Sequence, residues 1–217
     1  MNRLMNGFRT RLPAVALVAG ALVVTAACGS VVRQGRASSY LIIDNLTASS
    51  GARAGTFGNT LESDVVTNVK STVGGQQVAV PTVYEDLGQV TLRLAMKDPG
   101  TTDSPTAPSP NNEITVNRVQ VSYIRTDGRN TPGVDVPYAF EGAVTGTVTK
   151  NGIALSFVLV RVQAKLEAPL KALAGGGGSI VISTIAEVTL YGHDQAGNDV
   201  SVTGRISVNF ADWGDPQ

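Results

Sequence analysis

The sequence predicts an all-β fold, an antiparallel β-sandwich, for most of its 217 residues. Three observations support this prediction. Apolar and polar residues alternate with a period of two in several runs, glycine-containing turns separate these runs, and the 3.6-residue periodicity of helices is almost absent. A chain of this length is accounted for by one domain. We expect that domain to span residues 40–217.

The individual strands follow from the alternation. The clearest case is 89–97, where Val90, Leu92, Leu94 and Met96 alternate with polar residues, so that one face is buried and the other is solvated. Further strands are predicted over 114–123 with a β-bulge at Asn117-Arg118, 140–148, 180–192 with Ile180 facing inward, and 200–210. The run 154–162 is apolar on both faces, which predicts a central strand. The helical candidate 164–174 is limited by Pro169.

Turn residues join these strands. Asn151-Gly152 is the pair that supplies positive φ angles in tight turns, and it predicts a hairpin between 140–149 and 153–162. The turn around Gly197 closes a second hairpin between the last two strands. The segment 49–88 is rich in glycine and less regular, and it has room for additional strands.

The last turn carries a family resemblance. The run Leu190-Tyr191-Gly192-His193-Asp194-Gln195-Ala196-Gly197-Asn198-Asp199 resembles the strand-turn-strand segment of bacterial immunoglobulin-like domains. The resemblance implies an immunoglobulin-like β-sandwich in which 180–210 forms the F and G strands. The segments 98–112, 150–152 and 193–199 then correspond to the B–C, D–E and F–G loops at one pole of the domain.

The first 27 residues form a separate unit. Arg3, Arg9 and Arg11 precede an uninterrupted apolar stretch at 12–24, which is typical of a signal peptide. The stretch is shorter than the roughly 20 apolar residues that span a bilayer. We therefore expect export from the cytoplasm and removal of 1–27.

The segment Thr25-Ala26-Ala27-Cys28 resembles the lipobox of bacterial lipoproteins, although Thr25 replaces the usual Leu. The resemblance implies that Cys28 is lipidated, becomes the first residue of the mature chain and anchors it to a membrane through a flexible tether at 28–39. Gly29 favours the outer membrane, if the cell has one. The alternative is an ordinary signal peptide whose removal leaves a free thiol.

Composition excludes several classes of function. The 17 basic and 17 acidic residues are balanced, which argues against a nucleic-acid partner. Residues 1–27 hold three arginines and no acid, so the remaining chain carries 14 basic and 17 acidic residues, a formal charge of −3. One Cys and one His cannot build a Cys/His zinc site. We expect neither a metal nor a cofactor.

Few residues are candidates for a binding site. Asp194, Asn198 and Asp199 bring three oxygen-bearing side chains into one turn, which is compatible with Ca²⁺ but does not fit an EF-hand. Asp and Asn are also the residues that turns prefer. Trp213 is expected to cap the edge of the core and is a candidate sugar platform. His193 is expected in an exposed turn.

The predicted function is therefore non-enzymatic. We expect a membrane-anchored lipoprotein of the bacterial cell envelope that acts as a structural or protein-binding module, with another envelope protein as its partner. One alternative is a glycan or small-ligand binding β-sandwich. The other is a hydrolase with an unrecognised site, whose acid–base chemistry would have to pass through His193 if it used an imidazole.

Overall fold

A computed structural model describes residues 35–215. The signal peptide and Cys28 lie outside the described residues. Within them, short helical segments are the helix α1 (Val162–Leu166) and the 3₁₀ turns Gly51–Arg53, Pro110–Asn112 and Leu170–Leu173. The strands are β1 (Ser39–Ser49), β2 (Thr60–Asp64), β3 (Thr67–Val73), β4 (Gln76–Thr82), β5 (Asp86–Met96), β6 (Gly100–Thr101), β7 (Ser104–Pro105), β8 (Ile114–Ile124), β9 (Phe140–Val148), β10 (Ile153–Val160), β11 (Ile182–Asp194) and β12 (Asp199–Ala211).

The strands form two main sheets and two hairpins. One sheet has the order β1-β5-β10, and the other has the order β2-β12-β11-β8-β9. All of these pairs are antiparallel except β2 with β12, which is parallel. The strands β3 and β4 form one separate hairpin, and β6 and β7 form a very short one. The all-β prediction is confirmed.

Both sheets contribute to one hydrophobic core. Val90 and Leu92 of β5 and Leu159 of β10 are fully buried on one side, as are Val188 of β11 and Phe210 of β12 on the other. The predicted alternation of inward and outward residues is therefore confirmed in β5, β9, β11 and β12. The predicted bulge is also present, because the β8–β9 register shifts between Val116 and Arg118.

The predicted turn at Asn151-Gly152 is present, but the predicted hairpin between β9 and β10 was wrong. Gly152 has φ +72° and its N–H donates to Thr149 O at 3.0 Å, so a tight turn is present. However, β9 belongs to the five-stranded sheet and β10 to the three-stranded sheet. A side chain at Gly146 would meet Leu155 at 2.5 Å. The missing side chain lets β10 face β9 across the core, and the chain crosses from one sheet to the other.

Two further predictions were wrong. The strand β10 is an edge strand that pairs with β5 alone, because Ala154 and Ser156 point outward despite the apolar sequence around them. Ile180 is 59% exposed, since β11 begins only at Ile182. The strand β1 begins at Ser39, which pairs with Met96 and is buried.

The register defines two poles. One pole holds the N-terminal entry and the loops 97–113, 149–152 and 195–198. This follows from the pairing of Ser39 with Met96 and of Ile114 with both Val148 and Asp194. We call this end the N-terminal pole. The opposite end, called the distal pole, carries residues 50–58, the β3–β4 hairpin, and the segments 125–139, 161–181 and 212–215.

Candidate functional site

The β3–β4 hairpin is the most distinctive surface feature of the described chain. It pairs Val69 with Val80 and Val73 with Gln76 through a turn at Gly74-Gly75, where φ is +62° and +84°. Neither strand joins one of the two main sheets. Both outer edges of this two-stranded ribbon therefore lack a neighbouring strand.

One face of the hairpin carries four valines, with Ser71 opposite Val78 and Gln76 opposite Val73. Because paired and alternate residues of a ribbon share a face, Val69, Val73, Val78 and Val80 lie together. Each is at least 36% exposed, and Val73 is 61% exposed. The opposite face carries Lys70, Thr72 and Gln77, and the Gln77 amide donates to the Thr72 hydroxyl at 2.9 Å. The four valines are called the valine face below.

The valine face continues into a groove at the root of the hairpin. Val69 and the half-exposed Tyr84 line this groove together with Ala52 of the 3₁₀ turn Gly51–Arg53, and its volume is about 410 Å³. Asn68 and Lys70 also line the groove, so its surface is of mixed polar and apolar character.

Hydrogen bonds fix the base of the hairpin. The backbone N–H of Asn68 and its side-chain amide donate to the two oxygens of the Asp215 carboxylate at 2.6 and 3.0 Å. These bonds lower the pKa of Asp215. The Thr67 hydroxyl donates to Asp64 at 2.6 Å. The hairpin thus leaves the domain at a defined position.

A buried ionic cluster lies beneath the distal pole. The Asp86 carboxylate accepts hydrogen bonds from Lys165 Nζ at 2.8 Å, from the Ser63 hydroxyl at 2.6 Å and from the Gly51 N–H at 2.8 Å. The three side chains are each at most 2% exposed. A substrate cannot reach a serine that is this deeply buried, so the cluster joins β2, β5, α1 and the Gly51–Arg53 turn.

Burial dominates the electrostatics of the two carboxyl groups in this region. Burial raises the pKa of Asp86, although the Lys165 ammonium opposes the shift. Burial also raises the pKa of Asp64, against hydrogen bonds from Thr67 and from the Trp213 N–H at 3.0 Å. Both groups are satisfied by donors from the chain itself.

The structure places the turn residues Asp194, Asn198 and Asp199 at the N-terminal pole. One oxygen of the buried Asp194 carboxylate accepts from the N–H groups of Ala196 and Asn198, and the other accepts from the Asn198 amide, all at 2.9 Å. Burial opposes ionisation of Asp194, but these bonds outweigh it and lower its pKa. The carboxylate therefore organises its own loop.

The other sequence candidates lie elsewhere. Trp213 is at the distal pole, where its indole N–H donates to Asn209 O at 3.4 Å, so it does not share a site with Asp194. His193 is exposed and its Nδ1 lies 3.3 Å from the carbonyl oxygen of Asp194. No group of three or more potential metal ligands occurs among residues 35–215.

Sequence reasoning did not identify the hairpin as a functional surface. The signal was present, because Gly74-Gly75 between two alternating runs is typical of a hairpin. The ionic cluster had no such signal, since Ser63, Asp86 and Lys165 are far apart in the chain.

Comparisons with known proteins do not assign the chain to a family. No family model matches it, and no curated protein and no solved structure matches it either. None of the helices in residues 35–215 is long and apolar enough to cross a membrane.

Proposed function

We propose that this chain is an exported lipoprotein of the cell envelope whose immunoglobulin-like domain binds another protein and catalyses no reaction. The sequence before residue 35 supports the anchor: an arginine-containing apolar stretch is followed by Ala26-Ala27-Cys28. Two or three acyl chains on Cys28 hold a protein on a membrane far more firmly than one chain does.

The strand order supports an immunoglobulin-like domain. In that fold, strands A, B and E are neighbours in one sheet, and strands G, F, C and C′ follow each other in the second. The order β1-β5-β10 corresponds to the first set, and β12-β11-β8-β9 to the second. The proposed F and G strands are then β11 and β12, as the turn resemblance implies.

The valine face is the observation that carries the proposed binding function. A two-stranded hairpin on its own is at best marginally stable in water. A strand edge without a neighbouring strand is a template for pairing with another chain, and exposed valines beside that edge add apolar surface for a partner to cover. Residues 67–82 contain one lysine and no acid, so charge does little to prevent association at this surface.

The occupant we propose is a different protein, which pairs with the hairpin edge and covers the valine face. Seven residues per strand at about 3.3 Å give a face about 23 Å long and two strands wide, roughly 250 Å². A stable dimer needs about 800 Å² from each partner. Two copies packed through this face alone fall short, whereas a partner that also enters the Tyr84 groove covers more surface.

The position of the hairpin fits an anchored protein. The N-terminal entry is at one pole and the hairpin is at the other. The 11 residues of β5 give the sheet a length of about 36 Å between the two poles. If Cys28 is in a membrane, this length separates the hairpin from the anchored end. The valine face is therefore presented away from the membrane.

Site-specific crosslinking tests this proposal. A photoreactive residue is placed at position 73 of the full-length chain and, as a matched control, at position 134, because Val134 is also a strongly exposed valine of the distal pole. We expect one abundant protein adduct from position 73 in native membranes and none from position 134. Equal adducts from both positions, or no protein adduct from position 73, would overturn the proposal.

Two variants complete this test. Val73→Ser with Val78→Ser is expected to abolish the adduct of a crosslinker at position 80 while the melting temperature stays unchanged, because both side chains lie on the solvent-facing ribbon. Cys28→Ala is expected to release the protein from the membrane fraction and prevent lipid attachment. If the same share of Cys28→Ala protein is found in the membrane fraction, the lipid anchor is contradicted. The crosslinking result at position 73 tests the binding surface independently of the anchor.

A further inference from the structure

A small cavity at the distal pole is separate from the valine face. It lies between the segment 50–58, the strand β2 and the residues 213–214, and its volume is about 220 Å³. Drug-sized ligands occupy pockets of about 300–1,000 Å³. The cavity is therefore large enough for one ring, but not for a longer ligand enclosed along its whole length.

Two aromatic residues contribute to the wall of the cavity. Phe57 is 37% exposed, and Trp213 is half-buried. Trp213 is fixed at two points, because its backbone N–H donates to Asp64 at 3.0 Å and its indole N–H donates to Asn209 O at 3.4 Å. Leu61 and Ala48 also line the cavity and are buried. These four residues give the cavity wall an apolar part, in which Trp213 is held in place.

A pair of opposite charges also lines the cavity. Arg53 Nη1 is 3.9 Å from Glu62 Oε2, and both side chains are more than half exposed. Arg53 also donates to Gly214 O at 3.4 Å. A guanidinium has five N–H donors and a carboxylate has about four acceptor positions, so these contacts leave both groups with unused hydrogen-bonding capacity. The charges of Arg53 and Glu62 cancel, and the Asp64 carboxylate, which also lines the cavity, already accepts from Thr67 and from the Trp213 N–H, so the lining does not favour an anionic ligand.

We propose that this cavity binds one ring of a neutral carbohydrate. A sugar ring has an apolar face of C–H groups, which fits against Phe57 and Trp213, and hydroxyl groups at its edge, which can both donate to Glu62 and accept from Arg53. A purely apolar ligand would remove water from the two charged groups without replacing their hydrogen bonds, which is unfavourable. The cavity is thus a binding site of mixed character, and its function is independent of the valine face.

The chain contains a built-in probe for this site, because Trp213 is its only tryptophan. The protein lacking residues 1–27 and carrying Cys28→Ala is titrated with glucose, galactose, mannose and N-acetylglucosamine. We expect at least one of these sugars to give a saturable change in tryptophan fluorescence and to shift the single indole N–H resonance in NMR spectra. The absence of a saturable change with all four sugars up to about 50 mM, a concentration that detects even millimolar affinity, would overturn the proposal.

Variants locate the binding. Glu62→Gln and Phe57→Ala are each expected to lower the affinity for the sugar about ten-fold. This is the loss expected when one hydrogen bond to a charged group or one stacking partner is removed. Tyr40→Ala removes an exposed aromatic residue at the N-terminal pole and is expected to leave binding unchanged. Circular dichroism confirms that each variant is folded.

Two results would count against the site. Unchanged affinity in both folded variants would place sugar binding elsewhere. A phenylalanine-containing tripeptide that saturates the tryptophan signal at lower concentration than every sugar would identify the cavity as a pocket for a protein side chain instead.

Discussion

The Lys165 ammonium donates a 2.8 Å hydrogen bond to the Asp86 carboxylate, and both side chains are almost completely buried. Lys165 lies in the short helix α1, and Asp86 begins β5. The pair therefore holds the segment that follows β10 against the start of β5, at the end of the sheet where Val160 pairs with Asp86. Removing water from two charges is expensive, so such a pair fixes geometry more than it adds stability.

We predict that Lys165→Met destabilises the domain by about 3 kcal/mol, because it leaves the Asp86 carboxylate buried without its counter-charge. Urea unfolding followed by circular dichroism measures the loss. Arg205→Met is the control, since it breaks an exposed ion pair with Glu187 on the outer surface of β11 and β12 and is expected to cost less than about 1 kcal/mol.

The double variant Lys165→Met with Asp86→Leu tests the cause. We expect it to recover only part of the loss, because the Ser63 hydroxyl and the Gly51 N–H still lose their acceptor. A single variant as stable as the Arg205→Met control would contradict a structural role for the buried pair.

Asp194 provides a pH-dependent prediction. Its folded-state pKa is lowered below the unfolded value of about 3.9, so its stabilisation is present above that value and is lost as the pH falls through the folded pKa. We expect Asp194→Ala to cost about 2 kcal/mol at pH 7, because charged hydrogen bonds to the loop are removed. The difference in the free energy of unfolding between Asp194→Ala and the unmodified protein should become smaller below about pH 4.

Unfolding curves recorded between neutral and acidic pH check this expectation. Asp103→Ala changes an exposed carboxylate at the same pole and serves as the control. A difference for Asp194→Ala that stays constant with pH would show that the loop does not depend on the charge.

Substitutions at Gly152 and Gly197 distinguish the cost of backbone strain from the cost of a steric clash. Gly152 has φ +72° and a Cβ there would lie 2.6 Å from Leu92 O, whereas Gly197 has φ +79° and open space around it. We expect Gly197→Ala to cost about 1 kcal/mol, from strain alone, and Gly152→Ala to cost clearly more. Thermal melts measure both, with Gly214→Ala as a control in open space. Equal losses at Gly152 and Gly197 would contradict the close approach of β5.

Tyr123 links the two sheets. Its hydroxyl donates to Leu159 O at 2.6 Å across the core, and its ring contacts Phe210 edge-on at 5.6 Å. We expect Tyr123→Phe to cost about 1–2 kcal/mol, because the buried Leu159 carbonyl loses its donor.

Tyr191→Phe is the matched change, since that hydroxyl donates to Gln120 at 2.7 Å in a partly solvated position. Its expected cost is below about 0.5 kcal/mol, as for other surface changes. The reverse order of the two losses would show that the Tyr123 bond does not join the sheets.

The sequence alone predicted most of the β-strands and the last hairpin. Period-two alternation is a local property, so Val90, Leu92 and Leu94 identify the buried face of β5 without knowledge of its neighbours. Positive φ at Gly152 and Gly197 is equally local, because turn geometry depends on a few adjacent residues.

Only the tertiary structure decided which strands become neighbours and which distant side chains meet. A turn with positive φ at Gly152 is compatible both with a hairpin and with a crossing between sheets. In the folded domain the chain crosses, and Leu155 packs against Gly146 across the core. Likewise, Asp86 and Lys165 are 79 positions apart, so no local pattern could pair them. Alternation determines whether a residue is buried, whereas its partners depend on how the complete chain closes its core.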